Sequence, residues 1–375
     1  MSIKTLSKKM LAIVAAGAMT MGLAMPTSVF AAEGDTATKV TEAYISKTFN
    51  TEVGKNERFS FKAEQVAGNT AEVTIPDIEF TDNKTGSITK RAKVSFPEWT
   101  DAGKYEYTVT ETAATPTIDG EHQKMIMSQA EYTMDVYVSN VGNGLEISNI
   151  IVNKKKGDNG KLETGKVNIG NTDENGFKFT NTYVQEAGTG TDPITPDPDY
   201  TTYGSLNVSK TIDANNGTLD TVKQFDFTAT FTFPEGTDAT TLGGVKGNGA
   251  AITINQDGTY SFKLRTAESM KFTGVPVGTK ISVVESATPN YKGSAAVVIN
   301  GTTQDPVTAT KYDEALTVSD KSLGQKKNTV DVTNTYNYVP TTGIIMNTLP
   351  YVLMIALCGA ALMAFVAFKR RRLQK

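Results

Sequence analysis

The sequence predicts an all-β protein built as two tandem β-sandwiches, on three observations. First, its apolar runs are rich in Val, Ile, Thr, Tyr and Phe and alternate with polar residues. Examples are Arg58-Phe-Ser-Phe-Lys, Tyr105-Glu-Tyr-Thr-Val-Thr, Met134-Asp-Val-Tyr-Val and Gln224-Phe-Asp-Phe-Thr-Ala-Thr-Phe-Thr-Phe. A period of two sends alternate side chains to one face of a strand, so each run buries one face and wets the other. Second, turn-forming dipeptides punctuate the runs at Asn143-Gly144, Asp257-Gly258, Val277-Gly278 and Asn300-Gly301. Short strands with frequent turns favour sandwiches. Third, the 375-residue chain breaks once in its middle, at 185–199, where Pro, Gly and Asp replace the apolar periodicity.

The elements follow in order. Residues 1–31 have the form of a secretory signal: Lys4, Lys8 and Lys9 make a basic start, and Met10 to Met25 is apolar but short for a membrane span. Val29-Phe30-Ala31 offers the residues of a cleavage site after Ala31. An uncleaved anchor is the alternative. Residues 32–39 are a short polar leader. The first sandwich is expected over 40–184 and the second over 203–337. Between them, 185–202 reads as a semi-extended spacer because of its prolines, which would let the sandwiches melt independently. Val339-Pro340-Thr341-Thr342-Gly343 comes next, then an apolar segment at 344–368 long enough to cross a bilayer. The tail 369–375 opens with Lys369-Arg370-Arg371-Arg372, a basic cluster that would stay cytoplasmic.

Composition excludes several classes. Thirty-seven Lys and Arg against 40 Asp and Glu give a net charge of −3, which argues against a basic nucleic-acid-binding surface. His122 is the only histidine, so neither a multi-His metal site nor a histidine-based triad is available. Cys358, the only cysteine, lies in the apolar C-terminal segment, so no disulfide can staple the body. No cofactor, no metal and no enzymatic activity toward a separate substrate are expected. Trp99, in Pro97-Glu-Trp-Thr-Asp-Ala-Gly103, reads as a packing anchor beside a turn.

One signature occurs twice. Tyr44-Ile-Ser-Lys47-Thr-Phe is followed by Tyr107-Thr-Val-Thr-Glu111 and then by Phe179-Thr-Asn181-Thr-Tyr183. Leu206-Asn-Val-Ser-Lys210-Thr-Ile is followed by Ile281-Ser-Val-Val-Glu285 and by Val332-Thr-Asn334-Thr-Tyr336. A lone Lys, Glu or Asn in a strand is ordinarily a solvated surface residue. Three types in one order, twice, with like flanks, point instead to an intramolecular Lys–Asn isopeptide bond in each sandwich. Burial lowers a lysine's pKa and makes its amine nucleophilic. A buried glutamate stays protonated, donates to the asparagine carbonyl and relays protons while ammonia leaves. Apolar surroundings come from Phe59 and Phe61, matched by Phe225 and Phe227, and from Val109, Phe179, Val283 and Val332, each two residues from a reacting group.

With these residues the chain resembles the streptococcal-type backbone pilins of Gram-positive bacteria over nearly its whole body. Phe272-Thr-Gly-Val-Pro-Val-Gly278 and Val330-Asp-Val-Thr-Asn334-Thr-Tyr336 add to the likeness. The resemblance implies immunoglobulin-like sandwiches whose first and last strands are parallel neighbours, tied by Lys47 to Asn181 and Lys210 to Asn334, with Glu111 and Glu285 as catalytic carboxylates. The pentapeptide, apolar span and basic tail resemble a cell-wall sorting signal, with Val339 where Leu is usual. That implies a sortase that forms a thioacyl intermediate at Thr342 and releases Gly343 onward; a plain C-terminal membrane anchor is the alternative. The implied partners are sortase, further copies in a head-to-tail covalent polymer, minor pilins and peptidoglycan, with the membrane engaged only by the precursor and no nucleic acid. The acceptor lysine in such chains lies late in the first domain, where Lys154, Lys155, Lys156, Lys161 and Lys166 are candidates. The implied protein is a structural pilus subunit on the surface of a Gram-positive cell. A wall-anchored adhesin or minor pilin binding a host ligand is the alternative.

Overall fold

The computed structural model describes residues 39–372 except positions 67, 69, 171, 173, 174, 192–197 and 339–341. The expected signal sequence and Val339, Pro340 and Thr341 of the pentapeptide therefore lie outside the described residues.

The first sandwich contains β1 (Tyr44–Thr51), β2 (Glu57–Gln65), β3 (Ile78–Phe80), β4 (Gly86–Lys93), β5 (Gly103–Thr115), β6 (Asp119–Gly120), β7 (Gln123–Ile126), β8 (Glu131–Val141), β9 (Gly144–Lys156), β10 (Leu162–Val167) and β11 (Phe177–Gln185). They form two sheets, β4-β1-β11-β7-β6 and β10-β9-β8-β5-β2-β3. The second sandwich follows a short helix, α1 (Pro198–Tyr203). Its strands are β12 (Leu206–Asp213), β13 (Phe225–Thr232), β14 (Lys246–Gly247), β15 (Ala250–Ala251), β16 (Thr259–Leu264), β17 (Ser269–Thr273), β18 (Lys280–Glu285), β19 (Tyr291–Ile299), β20 (Thr302–Thr303), β21 (Val307–Thr308), β22 (Leu316–Ser322) and β23 (Thr329–Tyr336). One sheet runs β15-β14-β17-β12-β23-β19-β20, with β21 on β19, and the other β16-β13-β18-β22. The all-β expectation holds, and alternation is its cause. In β8 every second residue, Tyr132, Met134, Val136 and Val138, is buried. Aromatic clusters fill both interiors: Phe49, Phe59 and Phe80 in the first, and Phe262 between Phe227 and Phe272 in the second. Trp99 packs on Tyr105 with ring centroids 4.5 Å apart.

Closure is the same in both sandwiches. The first strand lies parallel to the last, β1 against β11 and β12 against β23. Lys47 faces Phe179 in register and Phe49 faces Asn181; Lys210 faces Val332 and Ile212 faces Asn334. In each case the asparagine is two residues beyond the lysine's partner, so both side chains enter the core from the same face as diagonal neighbours.

The segment after β11 departs from the expected spacer. Gln185 to Gly190 is buried, not solvated. Its backbone is bonded to the second sandwich through Ala187 N–H to Val275 O (2.8 Å), Gly188 N–H to Gly324 O (3.0 Å) and Gly190 N–H to Gln325 O (2.6 Å). Gly188 has φ of +81°, and a Cβ there would lie 2.2 Å from the Gly204 carbonyl oxygen, so glycine is required for this approach. Glu186 anchors the junction. Its Oε1 accepts from Tyr200 Oη (2.6 Å), Ser205 Oγ (2.7 Å) and the Gly274 N–H, and its Oε2 faces His122 Nδ1 at 2.8 Å. A Pro-, Gly- and Asp-rich composition suggested a semi-extended spacer, but the paired backbone groups and a satisfied carboxylate make burial favourable.

At the C-terminus, α2 spans Thr342–Arg372. Its Tyr351–Arg370 stretch has a mean hydropathy of 2.4 with no residue buried. Twenty residues rise about 30 Å, the thickness of a bilayer's hydrocarbon core.

Candidate functional site

Each sandwich brings its Lys, Glu and Asn together in the core, with lysine and asparagine on one sheet and glutamate on the other. In the first, Lys47 and Glu111 side chains are fully buried, and Nζ lies 2.9 Å from both carboxylate oxygens. Asn181 Nδ2 donates to Glu111 Oε1 at 2.7 Å. In the second, Lys210 Nζ donates to Glu285 Oε2 at 3.3 Å, and Asn334 Nδ2 donates to Glu285 Oε1. The aromatic surroundings repeat. Lys47 Nζ lies 4.3 Å from the Phe59 ring centroid and Lys210 Nζ 4.3 Å from that of Phe225. Phe61 pairs in register with Glu111, and Phe227 with Glu285.

Electrostatics follow from burial. Desolvation pushes the Lys47 and Lys210 amines down to about 8; attraction to the glutamates opposes this but is smaller. Desolvation also raises Glu111 and Glu285, against the lysine and asparagine contacts. Both displacements favour a neutral amine beside a neutral acid, the state in which a lysine is a nucleophile.

One contact corrects the expectation for the first site. Glu111 accepts from the two nitrogens, while the Asn181 carbonyl oxygen accepts the Ser128 backbone N–H at 2.7 Å. A backbone N–H only donates, so the amide's orientation is fixed by that bond. Ser128 lies in the irregular connection between β7 and β8. Its hydroxyl donates to Asp158 Oδ1 (2.5 Å), which also accepts the Thr180 N–H (2.9 Å). In the second site Asn334 Oδ1 is buried without a partner among the described residues.

Of the candidate acceptor lysines, Lys154, Lys155 and Lys156 end β9, Lys166 lies in β10 and Lys161 immediately precedes it. Lys154 is half-buried and paired with Glu163 at 3.0 Å, and Lys156 is paired with Glu131 at 2.6 Å. Lys155, Lys161 and Lys166 are exposed and have no ion-pair partner among the described residues. Thr342 and Gly343 begin α2. Among the described residues no cluster of His, Cys, Asp or Glu could hold a metal. Sequence reasoning also missed Glu57, a buried carboxylate that burial raises to about 7 against the attraction of Lys55 and the Arg58 backbone N–H.

Residues 38–184 match the family model described as the Spy0128-like isopeptide containing domain, FctA. The first sandwich is thus similar to this family of isopeptide-containing domains, which supports the resemblance to Gram-positive backbone pilins. Residues 204–336 match a domain of unknown function, DUF7601. No curated protein matches the chain in sequence. Among solved structures, the major pilin of Streptococcus pyogenes is 18% identical, with a TM-score of 0.31, covering 79% of this chain and 99% of its own. A major pilin from another S. pyogenes serotype is 19% identical, with a TM-score of 0.30 and coverage of 79% and 99%. A Mobiluncus mulieris adhesin with disulfide, isopeptide and ester cross-links is 14% identical, with a TM-score of 0.24 and coverage of 78% and 86%.

Proposed function

We propose that this chain is the structural backbone subunit of a sortase-assembled pilus on a Gram-positive cell, and that each sandwich locks itself with a Lys–Asn isopeptide bond. The observation that carries this is the duplicated buried triad joining a first strand to a parallel last strand. In the reaction, the neutral Nζ of Lys47 or Lys210 attacks Cγ of Asn181 or Asn334. The glutamate takes a proton from Nζ and delivers one to Nδ2, which leaves as ammonia. A secondary amide remains, and Glu111 or Glu285 is regenerated. A tie at that place carries tension from one end of a sandwich to the other without unravelling the strands between.

Assembly follows from the C-terminal signal. A sortase would join the Thr342 carboxyl to a lysine of the next subunit, with Lys155, Lys161 and Lys166 the most available members of the expected group. Such a contact is heterologous and does not close, so it builds a filament. The FctA match of the first sandwich supports this reading. Tryptic digestion of wall extracts, together with gel analysis under denaturing conditions, tests it. The expected result is a ladder of covalent multimers and a branched peptide ending in Thr342 on one of these lysines. Thr342 found only on peptidoglycan cross-bridges would overturn the backbone assignment and leave a wall-anchored adhesin or minor pilin.

A further inference from the structure

We propose that the Ser128 backbone N–H is the oxyanion donor of the first cross-linking site, that the second site has no equivalent donor, and that the first bond consequently closes faster than the second. This rests on the isopeptide reading given above and adds a division of labour to it.

The two sites share lysine, glutamate, asparagine and phenylalanines in the same places, yet differ in what meets the asparagine oxygen. In the first, Asn181 Oδ1 accepts the Ser128 N–H at 2.7 Å. In the second, Asn334 Oδ1 is buried with no partner among the described residues. It lies over Gly293, its register neighbour on β19, where an added Cβ would be 3.1 Å from Oδ1 and 3.1 Å from Leu316 Cβ. Attack by the lysine turns the amide oxygen into an oxyanion, and a fixed donor in a dry core stabilises that charge without reorganisation. Ser128 is held for this. Its hydroxyl bonds Asp158 Oδ1 (2.5 Å), and the same oxygen takes the Thr180 N–H (2.9 Å), tying the loop to the strand that carries Asn181. Glu111 is then free to move the proton from Lys47 Nζ to Asn181 Nδ2, both of which it already contacts. In the second site Glu285 touches the corresponding nitrogens. Only the same carboxyl, once protonated and with the amide turned over, can polarise the oxygen.

The test compares the two bonds within one molecule. The full chain is translated in a cell-free system with detergent, pulsed, chased, quenched in acid and digested. Mass spectrometry then follows loss of ammonia and formation of the Lys47–Asn181 and Lys210–Asn334 branched peptides. In the parent chain the first should appear before the second. Replacing Ser128 by its α-hydroxy analogue exchanges the N–H for an ester oxygen with little change in shape. This should slow the first bond by about 10²–10³-fold, the effect of deleting one oxyanion donor, and leave the second unchanged. Ser128→Ala keeps the N–H and should keep the first bond ahead of the second. Gly293→Ala, which crowds the Asn334 oxygen, should slow the second bond alone. Equal rates in the parent chain, or an unaffected first bond in the ester variant, overturn the oxyanion assignment while the isopeptide reading stands. Absence of ammonia loss at both sites overturns both. Continued closure of the second bond and trypsin resistance in the ester variant show that folding has survived the change.

Discussion

Removing the Glu186 carboxylate should loosen the junction between the sandwiches while leaving each intact. In Glu186→Ala, four donors or polar partners lose their acceptor: Tyr200 Oη, Ser205 Oγ, Gly274 N–H and His122 Nδ1. Tyr200 and His122 are only half-buried and can turn to water. Ser205 and Gly274 are buried, and an unmet buried donor costs about 1–3 kcal/mol. The junction should therefore lose roughly 2–6 kcal/mol, and at about 1.4 kcal/mol per decade local opening should become at least thirtyfold more frequent. Hydrogen exchange reports this directly, because the Ala187 and Val277 N–H groups bond across the junction to Val275 O and Gln185 O, each at 2.8 Å. Both should exchange faster in Glu186→Ala, while amides in β1 and β12 should not change. Glu186→Gln keeps an oxygen for the three donors at Oε1 and should lie close to the parent. Unchanged exchange at both amides in Glu186→Ala would refute the reasoning. A glutamine variant as loose as the alanine one would show that charge, and not hydrogen-bond acceptance, holds the junction.

Three further outcomes are expected. Asn181→Ala and Asn334→Ala should each lose one cross-link and destabilise their own sandwich by on the order of 4–5 kcal/mol, the chain-entropy effect of closing a loop of more than a hundred residues. Thermal unfolding with intact-mass analysis checks this, and unaltered melting with one fewer ammonia lost would contradict it. Closure of both bonds should slow as pH falls below about 8, because Lys47 and Lys210 are neutral above that value and protonated, hence non-nucleophilic, below it. A pH series of the pulse–chase experiment would reveal a rate that instead rises in acid. Finally, Glu57 is raised from 4.5 to about 7. The folded state holds its proton more tightly, so the stabilisation is fully present below 4.5 and is lost as pH rises toward 7, on the order of 3 kcal/mol. Glu57→Gln should flatten that pH dependence in denaturant unfolding of the first sandwich, and an unchanged profile would rule Glu57 out as its source.

The sequence by itself determined the strand content and singled out the Lys, Glu and Asn residues that the fold brings together. Alternation is a local property, so Arg58-Phe-Ser-Phe-Lys and Gln224-Phe-Asp-Phe-Thr name their buried faces without any knowledge of partners. Lys47, Glu111 and Asn181, with Lys210, Glu285 and Asn334, could be read because their side chains are themselves the chemistry and recur in order. The two-residue offset between the lysine's register partner and the asparagine, and the placing of glutamate on the opposite sheet, were decided only by the packing of the sandwich. Ser128 was invisible because the group it contributes is a backbone N–H, which every residue but proline possesses. Only the path of the loop over Asn181 gives it a role. The 185–190 segment misled for a related reason. Its composition describes what its side chains prefer, but its burial follows from main-chain bonds to Val275, Gly324 and Gln325 and from one glutamate satisfied by residues distant in sequence. Those partners come together only once the second sandwich has folded, so no local pattern could have specified them.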